Sequence, residues 1–506
     1  MLKQTITLSL CLFTLSPLLA QSQPKSSSSL TYPIVDTNQI RTYNNTSRIK
    51  YPSKTSSFFG QDAQYQGLQP SYKDNSNGTI TDLNTGLMWQ KSYQRATYQQ
   101  AVTGAEKCRT AGHTDWRLPT IKELYSLMDF SGYDPDPRAS SSSAPPFIDI
   151  DVFDFTFGDT KRGERIIDAQ YWTSTIYTST TMNGNKTAFG VNFADGRIKG
   201  YPTSTRRNRT QQRFVRYVRL NPDYGKNDFI DNSNGSITDK ATGLTWAQND
   251  SGKPMSWQQA LKYCEKLNLA GHSDWRLPNA KELQSIVDYS RSPDATNSPA
   301  INPIFNTTTI KNEGNQKDYP QFWTSTTHQS QRGGTNAVYI TFGRALGFMT
   351  FGSPNENRRS TKSSNAKLMD VHGAGAQRSD RKSGNPDDYP QGHGPQGDVV
   401  RIYNYVRPVR GGTATLNTTE PPLTATEKQT QNTQPQSPAD LFIKRLDRNG
   451  DNKISKSEFD GPSQHFSHID RNNDNYITAD EAPSGPPEHM QNQGNQQHPP
   501  QRRGRR

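Results

Sequence analysis

The chain has little of what builds a disulfide-stabilised or a membrane-embedded protein. Only 3 cysteines occur in 506 residues, which excludes a disulfide framework as the basis of the fold. No later segment approaches the ~18 consecutive apolar residues of a membrane span. Hydrophobic residues make up only 30% of the chain, against 37 glycines and 33 prolines. This composition predicts compact domains joined by substantial disordered sequence.

The first residues have the pattern of an export signal. Met1-Leu2-Lys3 is followed by an apolar stretch from Ile6 to Leu19 and then by the small residue Ala20. A positive charge, a short apolar region and a small residue are typical of a secretory signal peptide. We therefore expect residues 1–20 to be removed and the protein to reach the periplasm, the cell surface or the medium.

Five sequence blocks occur twice, in the same order. Chance does not produce such an arrangement, and each copy is longer than 140 residues, so the copies are two domains and not solenoid repeats. The paired blocks are 74–82 and 231–239, 85–89 and 242–246, 111–119 and 270–278, 171–175 and 322–326, and 214–219 and 405–410.

Local signals predict two helices and several strands in each copy. Asn-Gly pairs at 77–78 and 234–235 indicate hairpin turns, because this dipeptide accepts positive φ at both central positions. Alternating segments near 188–198 and 337–342 are typical of strands. An α+β domain is therefore expected. Capping-box pairs open the helices at Thr97 with Gln100, Thr120 with Glu123, Ser256 with Gln259, and Asn279 with Glu282.

Shifts in composition set the expected borders. Gly- and charge-rich sequence at 352–400 reads as an insertion in the second domain, where a solvated loop is favoured over a metal or ligand loop formed by His372 and His393. The predicted order is a linker at 21–65, domains at 66–221 and 222–412, a linker at 413–437, a small module at 438–483 and a disordered basic tail at 484–506.

The small module carries two loops with the spacing of calcium sites. Calcium takes about six to eight oxygen ligands, which a twelve-residue loop supplies from positions 1, 3, 5, 7, 9 and 12. Lys453 and Tyr476 stand at position 7, where the backbone carbonyl is the ligand. The candidate ligands are Asp447, Asn449, Asp451, Lys453, Ser455 and Glu458 in the first loop, and Asp470, Asn472, Asp474, Tyr476, Thr478 and Glu481 in the second.

Two details refine this prediction. Position 6, normally Gly, is Asn452 and Asn475; Asn tolerates positive φ best among the other residues, so the loops should form. Each loop has three ligating carboxylates, so we expect a weak, extracellular-type affinity on the order of 10⁻⁴ to 10⁻³ M. Ile454 and Ile477 should pair in a short two-strand contact. The expected core is Phe442, Leu446, Phe459, Phe466 and Ile469.

The repeated blocks carry a family resemblance. Thr-Gly-Leu-x-Trp, Asp-Trp-Arg-Leu-Pro, Trp-Thr-Ser-Thr and Val-Arg-x-Val-Arg resemble the Lcl C-terminal domain family, with Tyr217 and Pro408 where many members have cysteine. The resemblance implies a C-type-lectin-like fold and a secreted or surface binding module, and the namesake recognises sulfated polysaccharide. The full expectation is α+β: two tandem C-type-lectin-like domains plus a small all-α EF-hand pair, with disordered linkers and tail.

Charge favours an anionic partner. Lys and Arg number 59 against 47 acidic residues, for a net charge of +12, which suits polyanions. Guanidinium groups bind sulfate and carboxylate with paired hydrogen bonds, so Arg206, Arg207, Arg209 and Arg213 are candidate ligand-binding residues, with ordinary solvated surface as the alternative. Arg216 and Arg407 alternate with valines and are candidates for structural ion pairs. The tryptophans in the blocks are expected to be core residues.

These features predict an exported protein that binds Ca²⁺ and engages anionic polysaccharide, or another extracellular polyanion, in adhesion; nucleic acid is not expected. The alternative is a structural envelope protein with a calcium-stiffened tail. A formylglycine-generating-like enzyme is the third hypothesis, since the Trp-Arg-Leu-Pro turn resembles that family's. That chemistry needs a reactive cysteine pair, and Cys108 and Cys264 lie in different domains. Catalysis is therefore not expected.

Overall fold

The computed structural model describes residues 30–182, 184–204, 211–350, 366–423, 438–449, 453–471, 474–478 and 481–483. The predicted signal peptide at 1–20 and the predicted tail at 484–506 lie outside these residues, as does 424–437 of the predicted linker. Among the helices in the described ranges, none combines the length and the apolar character needed to cross a membrane.

The fold is rich in β-structure, with few and short helices. The four predicted capping boxes are all formed, with reciprocal side-chain and backbone hydrogen bonds at Thr97, Thr120, Ser256 and Asn279. The helices are α1 (Tyr98–Lys107), α2 (Ile121–Tyr125), α3 (Trp257–Glu265), α4 (Ala280–Ser285), α5 (Pro293–Thr296), α6 (Pro438–Leu446) and α7 (Ser463–Ile469).

The strands of the N-terminal segment and the first copy are β1 (Thr42–Tyr43), β2 (Arg48–Ile49), β3 (Tyr65–Gln66), β4 (Tyr72–Asp74), β5 (Thr79–Asp82), β6 (Met88–Gln90), β7 (Gln94–Ala96), β8 (Gln170–Thr181), β9 (Asn185–Asn192), β10 (Arg197–Pro202), β11 (Arg213–Val215) and β12 (Val218–Arg219).

The remaining strands are β13 (Phe229–Asp231), β14 (Ser236–Asp239), β15 (Leu244–Ala247), β16 (Ile310–Lys311), β17 (Lys317–Asp318), β18 (Gln321–Ser330), β19 (Gly333–Thr341), β20 (Leu346–Thr350), β21 (Ala366–Asp370), β22 (Gln377–Arg381), β23 (Val409–Gly411), β24 (Thr415–Leu416), β25 (Ile454–Ser455) and β26 (Tyr476–Ile477).

One sheet runs through both copies, in the order β18-β19-β22-β10-β9-β8-β11-β7. Its central contact pairs Ile198 of β10 with Gln377 of β22 in antiparallel register. Ile198 faces Val191 on β9, and Gln377 faces Ile340 on β19, so the two residues hold equivalent places. The copies therefore meet across an internal pseudo-two-fold axis. Each copy adds its own four-stranded sheet, β12-β6-β5-β4 and β13-β14-β15-β23.

The helices near the axis reinforce this symmetry. Lys122 on α2 donates to the Ser285 carbonyl oxygen at 2.7 Å, and Lys281 on α4 donates to the Ser126 carbonyl oxygen at 2.9 Å. These are equivalent residues of the two copies, so the pair of bonds is reciprocal. Burial lowers the pKa of each lysine to about 8. The two helices are thus locked to each other through carbonyl groups at their C-terminal ends.

The expected insertion at 352–400 is partly structural. Its strand β22 is the third strand of the second copy's sheet, equivalent to β10 in the first, and its strand β21 pairs with β20, which precedes the insertion. His372 is buried, and its Nε2 lies 3.0 Å from an Asp398 oxygen. The expectation of a solvated loop is thus wrong for residues 366–400, because β22 is needed to complete the sheet; residues 352–365 lie outside the described part.

The segment expected to be a linker at 21–65 is folded from residue 30 onward. Asp62 and Gln64 are buried, although their side chains are polar. Asp62 accepts hydrogen bonds from Thr37 and Thr326, at 2.8 and 2.5 Å, and Gln39 bonds both backbone groups of Thr327. We call residues 37–64 the N-terminal lobe. It lies on the second copy although it precedes the first.

The Asn-Gly turns differ from prediction in one detail. Positive φ occurs at Ser76 and Gly78, and again at Ser233 and Gly235, but not at the asparagines. The side chain of Asn77 instead accepts hydrogen bonds from the amide and the hydroxyl of Thr79. A side-chain acceptor replaces the expected left-handed backbone at this position.

Candidate functional site

The C-terminal module brings its two loops together through a pair of very short strands. Ile454 pairs with Ile477, and Ser455 with Tyr476, in antiparallel register. This confirms the two-strand contact predicted at loop position 8. Lys456 of the first loop also donates to Asn475 Oδ1 of the second at 2.8 Å. The two loops therefore form one unit.

A small apolar core supports the loops. The five predicted core residues are all part of it, and Ile443, Ile454 and Ile477 are added to them. Helix α6 enters the first loop and helix α7 enters the second, so both loop starts are anchored by the same cluster. Phe459 and Phe466 meet edge to face, with ring centroids 5.5 Å apart.

The second loop has the clearest ion-binding geometry. One carboxylate oxygen from each of Asp470, Asp474 and Glu481 falls within 4.8 Å of the others. These are loop positions 1, 5 and 12. Asn475 at position 6 has φ 66°, the left-handed conformation expected there. Thr478 at position 9 bonds Glu481 through both its amide and its hydroxyl. Asn472 lies outside the described residues.

The first loop turns its position-12 carboxylate inward in the same way. Glu458 Oε1 accepts from the amides of Arg448 and Asn449, and Oε2 accepts from the amide and hydroxyl of Ser455. These hydrogen bonds, led by that of the Ser455 hydroxyl, lower the pKa of Glu458 to about 2. The group is thus ionised at neutral pH. Asp451 lies outside the described residues.

The donor set of both loops fits calcium. Calcium prefers carboxylate, hydroxyl and carbonyl oxygens, and every candidate ligand offers one of these. Asp447, Asn449, Ser455 and Glu458 would hold the ion with the carbonyl of Lys453 in the first loop. Asp470, Asp474, Thr478 and Glu481 would do so with the carbonyl of Tyr476 in the second. The Lys453 ammonium lies 4.9 Å from the Tyr476 ring centroid, so it is drawn to the ring.

The proposed arginine set is only partly visible. Arg206, Arg207 and Arg209 lie outside the described residues. Arg213 stacks on the Tyr201 ring at 4.1 Å and donates to Gln170 and Gln211. Its guanidinium is therefore engaged within the protein.

The arginines that alternate with valines are internal. Arg216 donates to the backbone carbonyls of Gln90, Lys91 and Asp154. Arg407 donates in the same way to Ala247, Gln248 and Asn306. Both side chains are fully buried. Both arginines are therefore structural, as the sequence predicted. Their main partners are backbone carbonyl groups, however, and not the carboxylates of the predicted ion pairs.

A cavity that sequence reasoning missed lies at the start of α2. It has a volume of about 610 Å³. Its floor includes Arg117, Thr120, Ser174 and Thr175 of the first copy, and its far wall comes from residues 222–229 and 286–289. No sequence motif predicts this cavity, because it is formed by the packing of one copy against the other.

Comparison with known proteins gives two matches. The model of the Lcl C-terminal domain matches residues 78–219 and 235–363, which together make up more than half of the chain. An EF-hand model matches residues 439–460, which include the first loop. No curated protein and no solved structure matches the sequence.

Proposed function

Because this chain belongs to the Lcl C-terminal domain family and carries an EF-hand, we propose that it is an exported calcium-binding protein whose tandem domains engage an extracellular polyanion. The EF-hand match and the domain family together suggest calcium binding in an extracellular-type protein. The convergence of Asp470, Asp474 and Glu481 within 4.8 Å is the observation that carries the calcium assignment. We propose that the second loop, which the EF-hand match does not reach, completes an EF-hand pair.

Export and fold belong to the same proposal. Residues 1–20 have the composition of a signal peptide. Each copy combines two helices that open on capping boxes with strands of a large, mainly antiparallel sheet, an arrangement that supports a C-type-lectin-like fold. Extracellular calcium is present at millimolar concentration, which suits loops with only three carboxylates each. A calcium site of this strength would be about half to nine-tenths occupied at millimolar calcium.

Calorimetric titration of Ca²⁺ into the full-length chain tests the calcium site. We expect saturable uptake with a dissociation constant on the order of 10⁻⁴ to 10⁻³ M. Glu458→Gln and Glu481→Gln should each weaken their own loop at least about tenfold, since position 12 supplies two ligand oxygens. Glu106→Gln, an exposed change on α1, is the matched control. Absence of heat at millimolar Ca²⁺, or uptake unchanged in both variants, would contradict the assignment.

The polyanion partner is supported by the net charge of +12 and by the arginine-rich stretch at 206–209. We propose an anionic polysaccharide, in the context of adhesion. Salt-dependent retention on immobilised heparin should fall in a chain with Arg206, Arg207 and Arg209 all changed to Ala. Deletion of 484–506 is the control: if only this deletion abolishes retention, the tail alone is responsible and the domains are not the binding element.

We further propose that the protein is not an enzyme of the formylglycine-generating type. Cys264 is buried, and burial raises the pKa of its thiol well above the ordinary value. A thiol that stays protonated is a poor nucleophile. Cys108 sits in the other copy, with its sulfur near Gln90 and Thr110. Thiol-dependent turnover that is lost in Cys108→Ser or Cys264→Ser would overturn this proposal.

A further inference from the structure

The cavity at α2 has a counterpart in the second copy, and the counterpart is filled. Arg117, Thr120, Ser174 and Thr175 of the first copy correspond to Arg276, Asn279, Ser325 and Thr326 of the second. The second set is buried. What buries it is the N-terminal lobe, together with the adjoining strand β3.

The contacts of the lobe show what this surface binds. The hydroxyl of Thr326 accepts from the Ala280 amide at the start of α4 and donates to Asp62 Oδ2 at 2.5 Å. Tyr65 lies three residues later, with its ring 5.4 Å from the Arg276 guanidinium. Thus the carboxyl of Asp62 contacts Thr326, and the aromatic ring of Tyr65, three residues later, packs against Arg276.

The first copy offers the same groups without the lobe. The Thr175 hydroxyl accepts from the Ile121 amide at 3.0 Å, as its counterpart does. Within the described ranges, no group accepts the proton of this hydroxyl. Arg117 is held by Glu123 at 2.6 Å, yet its side chain is 34% exposed, whereas Arg276 is 4% exposed. The face of Arg117 is therefore accessible to a ring.

The asymmetry has a simple origin in the chain path. Lys281 donates to the Asp36 carbonyl oxygen, and Lys122 donates to the Gly225 carbonyl oxygen. The segments that precede the two copies, which we call the lead-in segments, therefore contact helices α4 and α2 in the same way. After Asp36 the chain makes the excursion of the lobe before β3 begins. After Gly225 it goes directly to β13. The second lead-in has no lobe, and the cavity lies where a lobe would be.

We propose that the cavity at α2 is a peptide-binding site, which takes an extended segment with a carboxyl side chain and, three residues later, an aromatic one. The carboxyl accepts from the Thr175 hydroxyl, and the ring covers the Arg117 guanidinium. The cavity volume of about 610 Å³ accommodates several side chains. None of the residues that line the cavity belongs to the calcium loops.

The test uses a fluorescent peptide with the sequence of residues 58–68, Phe-Phe-Gly-Gln-Asp-Ala-Gln-Tyr-Gln-Gly-Leu. Anisotropy is followed as full-length protein is added. We expect saturable binding that Ser174→Trp weakens at least about tenfold, because Ser174 is exposed on the cavity floor and indole fills the space. Ser143→Trp, at an exposed serine that is not among the cavity residues, should bind as the parent does.

Two further variants separate the chemistry from the shape. Thr175→Val should weaken binding about five- to tenfold. Thr175→Ser should bind the peptide as the parent does, since serine keeps the donated hydrogen bond. A peptide with Asp62→Ala and Tyr65→Ala should bind at least about tenfold more weakly. Absence of saturable binding at millimolar protein, or equal binding by Ser174→Trp, overturns the proposal. So does heparin binding that Ser174→Trp abolishes, because the cavity would then belong to a polysaccharide.

Discussion

In the first copy the Arg117 side chain is 34% exposed, whereas its counterpart Arg276 in the second copy is 4% exposed; their carboxylate partners, Glu123 and Glu282, are buried in both copies. Both copies have the Asp-Trp-Arg-Leu-Pro turn, a capping box closed by a glutamate and the ion pair to that glutamate. The difference is the cover: the N-terminal lobe and Tyr65 of β3 lie on the second pair. The comparison shows that one duplicated framework serves as a surface in one half of the molecule and as a buried interface in the other.

The largest expected difference follows from breaking the two ion pairs. Arg276→Ala leaves the carboxylate of Glu282 buried without its guanidinium partner, which should cost about 3–5 kcal/mol of unfolding free energy. Arg117 is 34% exposed, so Arg117→Ala lets water reach the otherwise buried Glu123, and the cost should be about 1–2 kcal/mol. Thermal unfolding of the two variants measures the difference. Equal losses would show that the lobe does not change the environment of the pair.

A second contrast concerns the pH dependence of stability. In the second copy the Thr326 hydroxyl bonds the buried carboxyl of Asp62, whereas the equivalent Thr175 of the first copy has no such partner within the described ranges. Burial raises the pKa of Asp62 to about 8. The folded state thus holds a proton that the unfolded chain releases near the ordinary pKa of 3.8. Stability from this group is full below that value and declines as pH rises toward 8.

Asp62→Asn tests this pH dependence, since an amide mimics the neutral carboxyl. The unfolding free energy of the variant, relative to that of the parent, should rise between pH 5 and pH 8. At pH 8 the variant should be about 1–3 kcal/mol more stable than the parent. Denaturant unfolding at several pH values provides the measurement. If the parent instead becomes more stable relative to the variant as pH rises, Asp62 is ionised in the folded protein.

The smallest effect is expected where both copies are alike. Asp115 pairs with Arg219 at 2.7 Å and Asp274 pairs with Arg410 at 2.7 Å, and both carboxylates are more than half exposed. Asp115→Ala and Asp274→Ala should each cost less than about 1 kcal/mol, as exposed pairs do. The two melting temperatures should shift equally. A clear difference would indicate that the copies diverge beyond the region of the lobe.

Sequence reasoning succeeded where structure is decided locally. The four capping boxes were readable because a helix start needs a small polar side chain and a partner three residues later. The contact of Ile454 with Ile477 followed from loop spacing alone. The buried tryptophans were also correctly placed in the core.

Sequence reasoning failed where polar residues are buried by distant partners. Gln39, Asp62 and Gln64 look like solvated linker residues, because nothing in their neighbourhood is apolar and periodic. In the structure Gln39 bonds Thr327 and Asp62 bonds Thr326, both far along the chain, whereas Gln64 bonds Gly60 and Pro52 within the lobe. Such satisfaction of buried polar groups cannot be read from hydropathy. The cavity at α2 escaped prediction for the same reason, since it depends on how the copies pack.

The antiparallel contact of Ile198 with Gln377 joins equivalent residues, as a two-fold homodimer would. In a homodimer such a contact weakens on dilution, and both partners must carry the same substitution. Here one polypeptide supplies both halves. Their association is therefore independent of protein concentration, and each half is free to accumulate its own changes. Covalent linkage has allowed a symmetric assembly to hold two unlike faces.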